Sequence, residues 1–281
     1  MKRFLTIVVA VWCLAGCSSF GQRRAEHGAP MTTDASTEPS CGETMIRFAS
    51  RFVGAPYTAG TLEGDTVEQL VVNLQTFDCT TFVESVLALT RTRMLEQTSA
   101  ESYRAQLAAI RYRGGVIDGY ASRLHYFSDW IADNERRGIV ADITRQAGCI
   151  PDTLRLDFMS RNADRYPALR NDPTQTARIT ECEKQLRGTV VYYLPTRLVE
   201  TATPSIIQSG DIIAFTTGID GLDIAHTGIA LRQGSEVYLL HASSSQGKVV
   251  LDTRPLPQIL RETRRFTGIR IVRPLPPSDG K

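Results

Sequence analysis

One cysteine and two histidines have the residue types, and the order along the chain, from which a thiolate nucleophile is assembled. Cys79 follows Asp78, a residue type that commonly caps helices, so Cys79 is predicted in the first turn of a helix. His226 begins a later predicted strand and His241 ends the next one. In a tight antiparallel hairpin those two strand ends lie side by side. A thiolate assisted by imidazoles can attack the carbonyl carbon of an amide.

The order of these residues assigns a role to each. We expect the helix dipole and a neighbouring imidazole to lower the pKa of Cys79, because the thiolate is the reactive form. His226 is predicted as the general base and His241 as the group that orients it. The backbone N–H of Cys79 is a candidate oxyanion donor. A Cys-His₂ zinc centre, or a structural role for each residue, is the alternative; the paired strand positions favour the nucleophile, and no metal or other cofactor is predicted.

Helical and strand patterns predict an α+β fold, with helices first and an antiparallel sheet in the C-terminal third. Residues 141–152 fit neither pattern. The predicted helices cover Glu43–Val53, Cys79–Met94, Ala100–Ile110, Phe127–Arg137 and Pro173–Leu186. The predicted strands cover Val190–Leu194, Ile212–Thr216, His226–Arg232, Val237–His241, Lys248–Thr253 and Ile269–Arg273.

The N-terminus has the pattern of an exported lipoprotein. Lys2 and Arg3 precede an apolar run over residues 4–14, which is too short to span a bilayer. The run ends in Leu-Ala-Gly before Cys17, like a bacterial lipobox, so residues 1–16 are predicted to be a signal peptide and Cys17 to carry lipid. An ordinary signal peptide cut nearby is the alternative. Residues 17–42 are predicted as a flexible tether and 43–276 as one domain. We expect a periplasm-facing protein, with the outer membrane favoured by resemblance to Gram-negative lipoproteins.

Composition and charge narrow the partners. The 281 residues are 42% hydrophobic and 22% charged, which is ordinary for a globular protein. The net charge of +2 comes from 32 basic and 30 acidic residues, and no basic cluster points to nucleic acid.

Cys149 and Cys182 bracket a loop-rich stretch and are the predicted disulfide, although connectivity does not follow from sequence.

The motifs resemble those of the NlpC/P60 superfamily of papain-like peptidoglycan hydrolases. That pattern is matched, in order, by Tyr57, Asp78-Cys79, Gly210-Asp211-Ile212-Ile213, His226-Thr227-Gly228-Ile229 and His241-Ala242. The closer resemblance, over about residues 43–275, is to the DUF1460 family of N-acetylmuramoyl-L-alanine amidase-like proteins. Its patterns match Gly54-Ala55-Pro56-Tyr57, Gly60-Thr61-Leu62-Glu63, Val71-Val72-Asn73-Leu74, Asp78-Cys79-Thr80-Thr81-Phe82-Val83-Glu84, Ser122-Arg123-Leu124-His125-Tyr126 and His241-Ala242-Ser243-Ser244. The superfamily usually has Ser-Gly after the cysteine, and the Thr-Thr found here fits the DUF1460 branch.

The resemblance implies a papain-like core and cleavage of the amide between the lactyl group of N-acetylmuramic acid and L-Ala of the stem peptide. A mainly helical and loop insertion at about residues 95–188 would form the sugar-side wall. Trp130 would stack on a sugar and Arg123 would pair with a carboxylate; a buried tryptophan and a surface arginine are the structural alternatives. The candidate substrate-binding residues are Tyr57, Asp78, Arg123, His125, Asp129, Trp130 and Ser243.

Other functions stay open at this point. A γ-D-glutamyl-diamino acid endopeptidase, an acyltransferase or a thioesterase could use the same scaffold. A non-catalytic wall-binding lipoprotein is the alternative outside enzymes. The predicted partners are peptidoglycan or a muropeptide and, through the lipid, a membrane; we expect a monomer.

Overall fold

The computed structural model describes residues 38–64 and 67–277. The predicted signal peptide, Cys17 and most of the predicted tether lie outside these residues. Within the described ranges, no helix is long and apolar enough to cross a membrane.

The described chain begins with helices and ends in a mainly β-stranded third. The helices are α1 Cys41–Arg51, α2 Cys79–Met94, α3 Ala100–Arg111, α4 Phe127–Arg136, α5 Phe158–Arg161, α6 Pro167–Arg170, α7 Pro173–Leu186, α8 Thr196–Ile206 and α9 Leu256–Glu262. The strands are β1 Val140–Asp142, β2 Ile150–Thr153, β3 Val190–Pro195, β4 Ile212–Thr217, β5 Ile224–Gln233, β6 Glu236–Ser243, β7 Lys248–Leu251 and β8 Phe266–Pro274.

The strands form one antiparallel sheet in the order β2-β3-β8-β4-β5-β6-β7, with β1 also paired to β8. Strands β4 to β7 form a meander, and β8 returns to the middle of the sheet beside β4. Every pairing is antiparallel, as the hairpin spacing predicts.

Apolar residues at alternate strand positions face helices on both sides of the sheet. One face carries Ile212, Ala214 and Ile229 and packs against the buried stripe of α2, with α1, α3 and α4 completing this core. The opposite face carries Ile213 and Phe215 and packs against α8 and α9. The sheet is therefore the middle of three layers, and α2 is held by the sheet and by its neighbouring helices.

The structure confirms the predicted antiparallel sheet with helices, and the bounds of α2 and α7 agree with those predicted. Patterns missed β1, β2, α8 and α9. The region predicted as an insertion contributes to the main fold, since α3 and α4 belong to the main core and β1 and β2 to the sheet. The predicted disulfide is wrong. Cys149 and Cys182 are free thiols, and the Cys182 sulfur instead lies 3.5 Å from the Arg113 guanidinium.

A buried ion pair fastens α3 to α2. Nε of Arg111 donates to Glu84 over 2.7 Å, and Nη1 of Arg111 donates to the carbonyl oxygen of Val71. Both charged side chains are almost fully buried. Burial raises the pKa of Glu84, and the positive charge of Arg111 acts against that change.

Removing one partner of this pair should destabilise the fold strongly, because the remaining charge is left buried without compensation. We expect Arg111→Leu to lower the free energy of unfolding by about 3–5 kcal/mol in urea denaturation. The exposed pair between Lys184 and Glu181 provides the control, and Lys184→Ala should cost less than about 0.5 kcal/mol. Similar losses in the two variants would contradict the assignment.

Candidate active site

The entry to α2 is fixed by a complete set of cap hydrogen bonds. Oδ1 of Asp78 accepts from the backbone N–H of Thr81 over 2.8 Å, and the Thr81 hydroxyl accepts from the backbone N–H of Asp78 over 2.9 Å. This reciprocal cap satisfies one free N–H of the first turn and defines where the helix begins. Cys79 is consequently the first residue of the helix, as predicted.

Strands β5 and β6 separate at the point where Cys79 meets the sheet. Their ladder runs from Gln233–Glu236 to Ile229–Leu240 and ends there, while β6 continues its pairing with β7 through His241. Thr227 lies in the separated part of β5, and its hydroxyl donates to the carbonyl oxygen of Cys79 over 2.9 Å. The backbone N–H of Thr227 also donates toward the Cys79 thiol. The thiol therefore lies at an open edge of β5.

Two imidazoles meet across the same opening. Nε2 of His226 and Nδ1 of His241 are 2.8 Å apart, and the two rings are nearly perpendicular, at 84°. On its other side the His226 ring stacks against Phe266, with centroids 6.2 Å apart. The pairing predicted from the two strand ends is thus present in the structure.

A bulge and a glycine make room for this contact. Phe215 pairs with His226, but Thr216 pairs with Ile224, so Ala225 is an extra residue just before His226. Such bulges redirect the following side chain. A Cβ atom on Gly228 would lie 2.8 Å from Leu239 and 3.0 Å from Cβ of His241, which explains glycine in this strand.

Tyr57 approaches Cys79 because its segment runs beside the entry to α2. The backbone N–H of Thr58 donates to Phe77, and that of Phe77 donates to Pro56. Tyr57 is half-buried, and its pKa is raised by burial, then by the negative charges of Cys79 and Asp78. The structure therefore brings this candidate substrate-binding residue to the entry of α2, near Cys79.

Burial opposes charge on all three central groups. It raises the pKa of Cys79, and the Asp78 carboxylate acts in the same direction against the donors from Thr227 and Thr80. The expected lowering of the Cys79 pKa is therefore not found. Burial, then the charge of His241, lowers the pKa of His226 to about 3, and burial lowers that of His241 to about 4. At neutral pH the site holds a thiol and two neutral imidazoles.

Comparisons with known proteins place the chain in a family. The AmiA-like family model, described as N-acetylmuramoyl-L-alanine amidase-like, matches residues 47–269. The chain belongs to this AmiA-like family. No curated protein matches it.

Solved structures agree with this assignment. An N-acetylmuramoyl-L-alanine amidase from Bacteroides uniformis is 40% identical with a TM-score of 0.79, and the match covers 84% of this chain and 99% of that one. A Bacteroides fragilis protein described as a candidate xylanase is 42% identical with a TM-score of 0.77, covering 81% and 99%. A DUF1460 protein from Legionella pneumophila is 24% identical with a TM-score of 0.65, covering 85% and 90%, and shows the shared fold alone.

In this AmiA-like protein a small cavity lies at the start of α2. Its volume is about 200 Å³, and it is lined by Asp78, Thr80, Arg123 and His125 among others. Typical ligand sites measure about 300–1,000 Å³, so this cavity suits one part of a substrate. The Nε2 atom of His125 bonds to the carbonyl oxygen of Tyr120 over 2.8 Å and must be protonated to do so, which leaves Nδ1 as an acceptor.

Four of the predicted substrate-binding residues have structural partners instead. Arg123 is 5% exposed and donates to Leu62 and Glu63. Trp130 is 0% exposed and stacked on Phe127, so it has no face for a sugar. Asp129 is paired with Arg113 through two bonds, and the Ser243 hydroxyl accepts from Gln246 within the β6–β7 turn.

Three further residues surround the histidines. The buried Asp252 faces His241, with Oδ2 3.6 Å from Nε2, and Arg254 binds that carboxylate. Arg265 is exposed, and its guanidinium lies over the Phe266 ring that stacks on His226. Its positive charge lowers the pKa values of His226 and Tyr57, so it lies near both. Sequence analysis missed Asp252 and Arg265. The only signals available were their positions, Asp252 directly after β7 and Arg265 directly before β8. Within residues 38–64 and 67–277, no group of three or more His, Cys, Asp or Glu could hold a metal ion.

The neutral state of His125 predicts a pH dependence of stability. Burial lowers its pKa from 6.5 to about 3, so between these values the unfolded chain binds a proton that the folded protein does not. Stability should therefore fall as the pH falls through this window. We expect His125→Gln to reduce the slope of unfolding free energy against pH, between pH 4 and 6, by up to about 1.4 kcal/mol per pH unit.

Urea unfolding at a series of pH values measures that slope. Lys184→Ala, an exposed change on α7, should leave it unaltered. An unchanged slope in His125→Gln would show that His125 titrates equally in both states.

Proposed function

We propose that this protein is a cysteine-dependent N-acetylmuramoyl-L-alanine amidase with an NlpC/P60, papain-like arrangement. It cleaves the amide between the lactyl group of N-acetylmuramic acid and L-Ala of the stem peptide, in cell-wall turnover. The observation that carries the proposal is the 2.8 Å pair of His226 and His241, with His226 on the strand whose Thr227 bonds to Cys79 at the start of α2, in a chain of an amidase-like family.

In the proposed reaction, Cys79 attacks the lactyl carbonyl while its proton passes to Nδ1 of His226. Because Nε2 of His226 is occupied by His241, Nδ1 is the nitrogen that remains for this transfer. The C–S bond forms, the C–N bond breaks, and His226 protonates the departing nitrogen of L-Ala. Water then gives a proton to His226 and adds to the thioester, the C–S bond breaks, and His226 returns that proton to the sulfur; the lactyl carboxylic acid leaves and loses its proton to solvent.

The developing oxyanion needs donors that are in place beforehand. The backbone N–H of Cys79 is in the first turn, where the helix supplies no acceptor. The Tyr57 hydroxyl, held near Cys79, is the proposed second donor. Both donors belong to segments that hydrogen bonds fix around Phe77.

The name of the Bacteroides fragilis relative suggests glycoside cleavage as an alternative. The carboxylates near the site argue against it, because each of them already has a structural partner. Glycosidases commonly use two carboxyl groups, one on each side of the bond. Of the carboxylates that line the small cavity, Asp78 caps α2, Glu84 pairs with Arg111 and Glu63 pairs with Arg123. Amide cleavage would instead use the Cys79 thiol and the His226 imidazole, neither of which forms a salt bridge or caps a helix within the described residues.

Arg265 extends the proposal to the peptide side of the substrate. It is exposed beside His226, and no carboxylate pairs with it among the residues that the structure describes. We propose that it binds the free α-carboxylate of the D-isoglutamate that follows L-Ala in the stem peptide. Arginine suits this ligand because its planar fork can donate two parallel hydrogen bonds to a carboxylate.

The N-terminal motif adds a location to the proposal. The lipobox-like sequence before Cys17 supports lipid attachment and an outer-membrane protein that faces the periplasm. The substrate would then be met where peptidoglycan and its fragments occur.

Digestion of a GlcNAc-MurNAc-tetrapeptide and of its 1,6-anhydro form, followed by mass spectrometry, tests the activity. We expect a free stem peptide and an intact sugar from the wild-type chain. Cys79→Ala should lower the rate by on the order of 10⁴-fold or more. Cys182→Ala is the matched control, since its thiol lies on α7 beside Arg113, and it should retain activity.

The products separate the alternatives. Cleavage within the stem peptide would identify an endopeptidase. Release of monosaccharides or xylan fragments would identify a glycosidase. Absence of any cleavage, together with binding to peptidoglycan, would support the wall-binding lipoprotein.

Substrates that differ in one carboxylate test Arg265. For MurNAc-L-Ala-D-isoglutamate we expect Arg265→Ala to lower kcat/KM by about 10–100-fold, mainly through KM. For MurNAc-L-Ala-D-isoglutamine, which has an amide at that position, the change should stay within about 3-fold. Arg264→Ala, at the exposed neighbouring position, is the control. Equal losses on both substrates would rule out recognition of this carboxylate.

A further inference from the structure

We propose that Asp252 is a positioning residue that fixes the tautomers of His241 and His226, so that Nδ1 of His226 is free to accept the Cys79 proton. This inference rests on the proposed function for its effect on catalysis. The tautomers themselves can be observed without a substrate.

The first argument is the place of the carboxylate. Asp252 follows β7 and is 2% exposed, and its backbone N–H donates to Leu239 on β6 over 2.8 Å. Its Oδ2 atom faces Nε2 of His241 at 3.6 Å. Nε2 is buried and has no hydrogen-bond partner within the described residues. The distance exceeds a hydrogen bond, but contacts of this kind are often long before substrate binds.

The second argument is the way in which Arg254 holds the carboxylate. Oδ1 accepts from the backbone N–H and from Nε of Arg254, each over 3.0 Å, and Oδ2 accepts from Nη2 over 2.7 Å. Arg254 is itself paired with Glu262 on α9. Oδ1 is therefore committed to two donors, while Oδ2 keeps capacity for His241.

The third argument concerns which nitrogen carries the proton in each of the two histidines that follow Asp252 in the series Asp252–His241–His226. An ionised carboxylate only accepts hydrogen bonds, so Asp252 favours the His241 tautomer with the proton on Nε2. Nδ1 of His241 is then an acceptor, and Nε2 of His226 must donate to it across the 2.8 Å contact. A neutral His226 protonated at Nε2 has an unprotonated Nδ1. The carboxylate thus prepares a base two groups away.

The same geometry predicts different effects for two substitutions. In Asp252→Asn the amide oxygen should take the Oδ1 position, where two Arg254 donors require an acceptor, because the Oδ2 position receives only one Arg254 donor, from Nη2. The amide NH₂ should then replace Oδ2, lose the Nη2 bond and face His241. A donor at that position favours the opposite tautomer of His241, with the proton on Nδ1. His226 would in turn carry its proton on Nδ1, which blocks acceptance from Cys79. Asp252→Ala merely leaves the tautomer unspecified.

The experiment combines spectroscopy and kinetics on the full chain. With ¹⁵N-labelled histidine, we expect NMR to show protonated Nε2 in His226 and His241 of the wild type, and protonated Nδ1 in Asp252→Asn. On MurNAc-L-Ala-D-isoglutamate, kcat should fall by on the order of 100-fold or more in Asp252→Asn and about 10-fold in Asp252→Ala, with KM within about 3-fold.

The control is a buried aspartate with the same type of partner but no histidine. Asp211 is 2% exposed and bound by Nε and Nη2 of Arg273. Asp211→Asn should lower stability but leave both the tautomers and kcat unchanged. Unchanged tautomers in a folded Asp252→Asn, or equal kcat in the asparagine and alanine variants, would overturn the inference. If Asp252→Asn switches the tautomers but the wild-type chain cleaves no muropeptide, this inference is retained and the proposed function is refuted.

Discussion

The separation of β5 from β6 beyond the Ile229–Leu240 pair is the constraint on which the candidate active site depends. In an unbroken ladder the backbone of Thr227 would be committed to β6. Here it is open to the first residue of α2, and its hydroxyl holds the carbonyl oxygen of Cys79. The segment before Tyr57 supports the opening from the other side, since Gly54 and Ala55 pair with Val249 on β7. A helix terminus and two strands therefore meet at one place.

Burial favours the uncharged forms of Cys79, His226 and His241. The helix dipole and a nearby imidazole are the usual means of stabilising a thiolate, yet desolvation and Asp78 together raise the pKa of Cys79. The histidines are shifted in the opposite direction, so a permanent thiolate–imidazolium pair is disfavoured on both sides. Charge should then form only as the proton moves toward His226 with substrate present. In that situation proton placement, rather than a resting charge, controls reactivity, which gives weight to groups that select tautomers.

The parts that sequence predicted well are those with local signals. Asp78 is a recognisable N-cap, and the apolar residues of α2 recur with helical spacing. The C-terminal strands are short apolar segments that turn residues separate. In contrast, β1 and β2 have three and four residues, and α9 begins at Pro255-Leu256-Pro257, so contacts distant in sequence decide their conformation. Because the chain has only four histidines, the two on adjacent predicted strands, His226 and His241, could be identified as candidates. Residue type alone did not reveal that Trp130 points into the core, or that Asp252 faces His241.

The region predicted to form a sugar-side wall supports the segment that lines one side of the cavity. Its buried side chains bind the segment on either side of residues 65–66. Arg123 holds Leu62 and Glu63, Tyr120 holds Glu63, and Tyr112 holds Glu68. Because Leu62, Glu63 and Arg123 all line the cavity at the start of α2, Arg123 shapes it both directly and through the two residues that it holds. Its guanidinium is 5% exposed and would have to abandon these partners to reach a carboxylate of the substrate, and the loss of this partner by the partly buried Glu63 would oppose that movement. In the proposed function, recognition of an anionic substrate would therefore fall to an exposed cation such as Arg265, while Arg123 contributes to the shape of the cavity.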